Sequence, residues 1–364
     1  MPLKTVSGKH ADPRKGRGAG INPEGRFENM EREAFDDGWN TPEEGEPRPL
    51  KTKVTIERAK SIISRNQSPD ISFSQSINPY QGCEHGCIYC YARPSHAYRN
   101  LSPGIDFETR LFAKVNAAEL LRAELSKPGY VCDVIMIGAN TDPYQPIERE
   151  HKITRSLLQV CAEFNQPIGI ITKNAGIERD IDILAPMAEK GLASVTISCN
   201  NLDHEVARRL EPRCAAPRRR LQAMSALSEA GIPVCVLVAP VVPFLTDQQI
   251  EPVLEAAWDH GAREAGYVLL RLPWEVKDLF REWLERNYPL KAVHVMSRVH
   301  EMRQGRDNDP SFGSRMIGAG KFAELLEKRF EIACKRIGMN ARSGRSLDLK
   351  LFSVPGKLEQ MSLF

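Results

Sequence analysis

Asn78-Pro79-Tyr80-Gln81-Gly82-Cys83-Glu84-His85-Gly86-Cys87-Ile88-Tyr89-Cys90-Tyr91-Ala92-Arg93 is the stretch from which the rest of the chain is best read. Three cysteines, Cys83, Cys87 and Cys90, fall within one short loop. Thiolates are soft ligands suited to zinc or to iron–sulfur clusters, and three so close together can face a common centre without help from distant segments. A structural zinc site wants four protein ligands, and His85 lies inside the loop as a candidate fourth. A cubane cluster has four irons, so three thiolates leave one iron open to a further ligand. The spacing alone leaves both metals standing.

Working upstream, Ile71, Phe73 and Gln75 alternate into Ile77, which predicts a strand that delivers the cysteine loop at its C-terminal end. Downstream, helical apolar spacing over 116–126 precedes the apolar run 131–137, which ends in Gly138-Ala139-Asn140-Thr141-Asp142-Pro143. The alternation continues with a helix near 154–164, a strand over 168–172 ending at Lys173-Asn174, a helix near 181–189 and a strand over 194–198. A helix over 218–230 closed by Gly231, a strand over 234–240, a helix over 248–260 closed by Gly261 and a strand over 267–271 complete it.

Six strands alternating with helices specify parallel strands with right-handed crossovers, an α/β class. A partial (β/α)6 TIM-like barrel is the expected architecture, with a doubly wound sheet as the alternative. In both, function gathers at the C-terminal ends of the strands. Those ends carry the cysteine loop, Asn140-Thr141-Asp142, Lys173-Asn174, Ser198-Cys199-Asn200, Ala239-Pro240 and Arg271.

The expected organisation is a mostly disordered arm over 1–65, the barrel over 66–290, a helical C-terminal extension over 291–345 and a flexible tail over 346–364. The arm is basic up to Arg17, acidic from Glu24 to Glu46, and lacks apolar periodicity. The extension reads as helices on either side of a Gly-, Asp- and Arg-rich loop from Gly305 to Gly320. A formal net charge of +3 identifies no partner by itself. Nine cysteines, six of them scattered, do not resemble a secreted disulfide framework. With no long apolar run and no apolar core near Met1-Pro2-Leu3-Lys4, the expectation is a cytoplasmic protein without a membrane partner.

The spacing Cys-x3-Cys-x2-Cys, with Tyr89 just before the last cysteine, resembles the cluster loop of radical S-adenosylmethionine (radical SAM) enzymes, whose fold is a partial β/α barrel. Within that superfamily the chain resembles the spore photoproduct lyase branch and its uncharacterised bacterial relatives. The matching pieces are the cysteine loop through Tyr91, Thr172-Lys173, Ser198 with Asn200, Leu210-Glu211-Pro212, Arg220-Leu221 and Val238-Ala239-Pro240.

The resemblance implies a [4Fe-4S] cluster on Cys83, Cys87 and Cys90, with S-adenosylmethionine on the open iron. It also implies an electron donor such as flavodoxin or ferredoxin, and reductive cleavage of the cofactor to a 5′-deoxyadenosyl radical that abstracts hydrogen from a substrate. Cofactor contacts are expected from Tyr89, Asn140, Thr141, Asp142, Lys173, Ser198 and Ala239, with Lys173 pairing with the cofactor carboxylate and Ser198 donating to its amino-acid or ribose part. In the lyases a hydrogen-donating cysteine follows the second strand, and the matching position here is Asn140. Cys199 and Tyr91 are the candidate replacements. Action on DNA is the expected substrate class, with RNA or protein modification, or a non-catalytic iron–sulfur or zinc nucleic-acid-binding module, as alternatives. Arg208, Arg209, Arg213, Arg218, Arg219 and Arg220 form a cluster suited to phosphates or to ion pairs. Finally, Gln360-Met361-Ser362-Leu363-Phe364 resembles the short peptide by which bacterial repair and replication proteins dock on the DNA sliding clamp, with Leu363 and Phe364 as apolar anchors and Gln360 setting the register.

Overall fold

The structure is a computed structural model that describes residues 16–27, 50–341 and 346–356. Ten strands are present among them: β1 (Lys53–Glu57), β2 (Ile63–Arg65), β3 (Gln75–Ile77), β4 (Tyr80–Gln81), β5 (Arg110–Lys114), β6 (Ile135–Ile137), β7 (Ile168–Thr172), β8 (Ala193–Ser198), β9 (Val234–Val241) and β10 (Glu264–Leu269). The large sheet has the order β10-β9-β8-β7-β6-β3-β2. From β3 to β10 every neighbouring pair is parallel, and β2 is added antiparallel at the edge. A doubly wound sheet reverses its strand order at a switch point. Here the six parallel strands follow chain order without reversal, as in a barrel left open.

Packing follows from the β8 and β9 sequences. Val195 and Ile197 of β8, and Val234, Val236 and Val238 of β9, are wholly or almost wholly buried, while Ser194, Thr196, Cys235, Leu237 and Ala239 alternate with them and are less enclosed. Helices Ile181–Glu189 and Ile250–Asp259 pack against these two strands. A strand with one sealed and one half-open face suits a barrel whose interior is kept for a ligand.

Beyond β10, helices Val276–Asn287 and Pro289–Met302 form a hairpin, so the helical extension starts before the expected residue 291. Its apolar face (Leu279, Phe280, Trp283, Val295, Val299) shares a core with Cys87, Ile88 and Tyr89 of the cysteine loop. Helix Lys321–Ile337 covers the β10 edge, with Phe330 against Tyr267 at 4.8 Å between ring centroids.

Two expectations for the termini are corrected. Residues 346–356 are not a free tail: Asp348 N donates to Gly191 O at 2.9 Å, Ser353 N to Phe164 O at 3.0 Å, and the Phe352 ring meets Tyr130 and Phe164. These partners lie just before strands, on the face opposite the cysteine loop. Nor are residues 16–27 and 50–65 a loose arm. Parallel pairing of β1 with β5, and antiparallel pairing of β4 with β5, makes a small second sheet, and residues 16–25 lie against the cysteine loop. Backbone donors and a buried Arg17 hold this segment, so composition gave no sign of it. The sliding-clamp peptide lies outside the described residues. Among the described residues no helix is long and apolar enough to cross a membrane.

Gly18 has no room for a side chain, since a Cβ there would stand 1.9 Å from Gly86 O. Gly18→Ala is therefore expected to lift residues 16–25 off the cysteine loop and to cost about 1–3 kcal/mol. Thermal denaturation and tryptic cleavage after Arg17 measure it; wild-type values in both would show that the contact contributes nothing.

Candidate active site

The cysteine loop leaves β4 and folds into nested turns, with Gly86 N on Cys83 O, Cys90 N on Cys87 O and Arg93 N on Cys90 O. Gly86 takes φ +69°, and a Cβ there would meet the Glu108 carboxylate at 2.7 Å. Glycine is the residue that this turn admits. Arg93, fully buried, fills the inside of the turn. All five of its N–H donors are used: Nε on Cys87 O, Nη1 on Pro103 O and Gly104 O, Nη2 on Gly86 O and on Glu108 at 2.6 Å. Glu108 in turn accepts Gly18 N and Ala19 N. Gln145 closes the other side, accepting Glu84 N and donating to Gly82 O.

The three sulfurs sense one another. Burial, then the sulfurs of Cys87 and Cys83, push the Cys90 thiol up to about 12. A metal would deprotonate such thiols outright. Among the described residues no three His, Cys, Asp or Glu side chains are gathered as they would be around a single ion. A cubane spreads its thiolates over separate irons, so the loop suits a cluster better than a lone zinc. His85, the alternative zinc ligand, is engaged elsewhere: its Nδ1 stands 3.4 Å from Asp142, and its Nε2 is 3.1 Å from the Asn174 amide. Burial works against its charge, but Asp142 and then Cys83 carry the imidazole well above its ordinary range.

The strand ends supply the rest. Asp142 accepts from Thr172 Oγ1, Lys173 N and Tyr144 N; burial opposes its charge, yet His85 and these donors bring it down to about 2. Thr141 is spent on Tyr80 O and Asn78 Oδ1. Of the expected trio only Asn140 keeps its side chain uncommitted among the described residues; its N–H is held by Asn78 Oδ1. Asp142 and Thr141 instead shape the loop and aim Lys173.

The Lys173 ammonium makes no hydrogen bond among the described residues. Burial opposes its charge, but Cys87, Glu211, Cys214 and Asp142 surround it and raise its pKa. Ser198 is buried at the end of β8, where its carbonyl accepts Arg220 Nη1 at 2.9 Å. Tyr89 donates to Glu211, which also pairs with buried Arg220. Burial disfavours the Glu211 carboxylate, while Arg220 and Lys173 hold its pKa below the usual range. Ala239, half-enclosed near the end of β9, precedes a cis proline. Tyr91 is half exposed, donates to Ala139 O and lies under Arg271, whose guanidinium is 5.9 Å from the ring centroid.

The structure does not bring Cys199 to the mouth. It is fully buried in the main apolar core with its Sγ 3.5 Å from Asn201 O, and burial raises its thiol to about 11. The arginine cluster is mostly consumed in ion pairs: Arg213 with Glu84, Arg219 with Glu178, Arg208 with Glu205, Arg220 with Glu211. Arg93, Glu108, Gln145 and Cys214 carried no role in the sequence reading. Only the placement of Arg93 directly after the cysteine loop was a signal.

Comparison with known proteins agrees with this geometry. Residues 77–257 match the family described as the Radical SAM superfamily. An uncharacterised protein of Mycobacterium tuberculosis is 34% identical over 281 residues, covering 76% of this chain and 81% of its own. One of Methanocaldococcus jannaschii is 25% identical, covering 66% of this chain and 85% of its own. Among solved structures, spore photoproduct lyase complexed with dinucleoside spore photoproduct superposes with a TM-score of 0.57 at 14% identity, over 79% of this chain and 80% of that one. At that identity the likeness concerns the fold.

Glu211→Ala is expected to leave the buried Arg220 guanidinium and the Tyr89 hydroxyl without their acceptor, at a cost of about 3–5 kcal/mol. The double replacement Glu211→Leu/Arg220→Met should recover much of it. Urea denaturation of the metal-free chain decides this, and equal losses in the two variants would exclude a buried unpaired charge as the cause.

Proposed function

This chain belongs to the radical SAM superfamily, and we propose that it reductively cleaves S-adenosylmethionine at a [4Fe-4S] cluster held by Cys83, Cys87 and Cys90 and directs the 5′-deoxyadenosyl radical at DNA. The bound cluster and cofactor supply the electron transfer and the radical; the chain supplies position, charge and exclusion of water. Lys173, with its donors unspent, pairs with the cofactor carboxylate. Ser198 and Asn140 donate to its other polar groups, while Tyr89 and Ala239 border it. Tyr91, on the cysteine loop and open to the mouth, is the better placed of the two candidates to return a hydrogen atom. Electrons come from a flavodoxin or ferredoxin, and Gln360, Leu363 and Phe364 dock the protein on a sliding clamp.

One observation carries the choice of a nucleic acid: a row of exposed aromatic rings and arginines beside the cysteine loop. Tyr98 stands 5.1 Å from Phe27, the Arg26 guanidinium is 5.4 Å from Phe27 and 4.0 Å from Trp274, and Arg271 with Tyr91 continues the row. Trp274 is 59% and Tyr98 71% exposed, more than rings that only fill a core need to be. Bases stack on such rings while cations meet the phosphates. Glu275 neutralises part of the Arg26 charge, which shifts the weight of recognition towards stacking.

Anaerobic reconstitution followed by dithionite reduction tests the reading. The chain is expected to hold about four irons and to release 5′-deoxyadenosine faster with ultraviolet-irradiated or intact DNA than without. Stimulation by RNA alone would move the substrate class, and zinc in place of iron would end the proposal. Trp274→Ala is expected to weaken single-stranded DNA binding by about 1–3 kcal/mol, read by fluorescence anisotropy; unchanged binding would remove the aromatic row from recognition.

A further inference from the structure

Cys214 belongs to no part of the site described so far, yet its Sγ lies 3.6 Å from that of Cys87. The approach is built into the backbone. Ile88 N donates to Leu210 O at 3.1 Å and Arg213 N to His85 O at 3.2 Å, so the turn after helix His204–Leu210 is laced to the cysteine loop on either side of Cys87. Cys214 N donates back to Glu211 O at 3.2 Å, and the Arg213–Glu84 ion pair, at 2.8 Å, adds a side-chain tie. Lys173 is adjacent to both sulfurs, and Arg220 is close to Cys214.

Distance decides what a thiol in this place does. Metal–thiolate bonds of about 2.3 Å in tetrahedral geometry put two thiolates on one metal about 3.7 Å apart. Thiolates on different irons of a cubane stand wider. A separation of 3.6 Å is therefore the spacing of two sulfurs that address the same iron, and each cubane iron has one outward position.

We infer that Cys214 is an alternate ligand for the iron that Cys87 holds, a pair of thiols serving one coordination position. The inference rests on the cluster reading above. It leaves the number of bound thiolates at three and the open iron untouched, so it does not compete with S-adenosylmethionine. In the exchange the iron–sulfur bond to Cys87 breaks as that to Cys214 forms. Cys214 gives up its proton, Cys87 takes one up, and no electron is gained or lost.

The experiment is anaerobic reconstitution of the full chain and of Cys83→Ala, Cys87→Ala, Cys214→Ala and Cys87→Ala/Cys214→Ala. Iron and sulfide per chain and the electron paramagnetic resonance signal after dithionite are measured, with circular dichroism as the check on folding. Cys87→Ala and Cys214→Ala should each keep most of the wild-type iron, while the double variant should lose it as completely as Cys83→Ala. If wild type is loaded and a folded Cys87→Ala is as empty as Cys83→Ala, the alternate ligand is refuted and the cluster reading survives. Wild type without iron refutes both. A second readout needs no variant. Oxidised glutathione added to the metal-free wild-type chain should take up two electrons and two protons from Cys87 and Cys214, releasing two glutathione thiols and leaving a 87–214 disulfide visible by peptide mass mapping. Glutathione mixed disulfides at both cysteines with no 87–214 bond would overturn the shared position.

Discussion

A single guanidinium holds the cysteine loop in shape. Loops bearing several thiols have little apolar content to pack, and their backbone carbonyls must find donors once buried. Arg93 supplies five N–H bonds to carbonyls of the loop and its neighbours and to Glu108, so the loop is cast around a cation. A buried ion pair adds little net stability when exchanged for apolar packing, but removing one partner is costly. Its value here lies in geometry: Cys87 O and Gly86 O are fixed relative to β5 and to residues 17–19 at once. The positive charge also suits the electrostatics of anionic sulfur ligands.

The remaining charges are arranged so that one cation is left over. Asp142 is shared among His85, Thr172 and the Lys173 backbone, and Glu211 among Tyr89 and Arg220. Each carboxylate already has its own donors, so neither forms a closed pair with the Lys173 ammonium. That ammonium stands beside Cys87 at the end of β7, the one buried cation around the loop without a hydrogen bond among the described residues. An anionic group entering the mouth would meet it without first breaking a salt bridge, which is the practical difference between a binding cation and a structural one.

How much of this could be read from the sequence depends on the range of the interaction. The parallel strands were legible because each combines an apolar run with a glycine-closed helix, as in Val234–Val241 after Gly231. Only the 131–137 run shrank markedly, to Ile135–Ile137, since Val131 is exposed and the Asp133 carboxylate turns to Ser74 and to the Val134 N–H. The small sheet stayed hidden because Lys53–Glu57 is mostly exposed and pairs with a strand far along the chain. The segment at Gly18 was read as tail because backbone N–H groups on Glu108 leave no trace in composition. Cys214 was silent for a related reason: its partner lies across two β/α units, and no local spacing encodes that.

The hydrogen donor is where fold similarity and site chemistry part. The position that carries a thiol in the lyases is Asn140 here, a residue with no hydrogen atom suited to radical transfer, and Cys199 is sealed in the core. If the chain re-donates hydrogen, the donor must sit at the mouth, and Tyr91 meets that requirement by exposure and by its place on the cysteine loop. A phenol buried beside anions is hard to deprotonate but can still give up a hydrogen atom whole. For Tyr91, burial and then the Cys90 sulfur raise the pKa, against the smaller pull of Lys173 and Arg271. The Ala139 carbonyl that accepts its proton belongs to the same turn as Asn140, so the side chain that replaced the thiol is next to the backbone group that orients the phenol. A change of hydrogen donor within one fold would then require two neighbouring positions, one losing a sulfur and the other holding a ring.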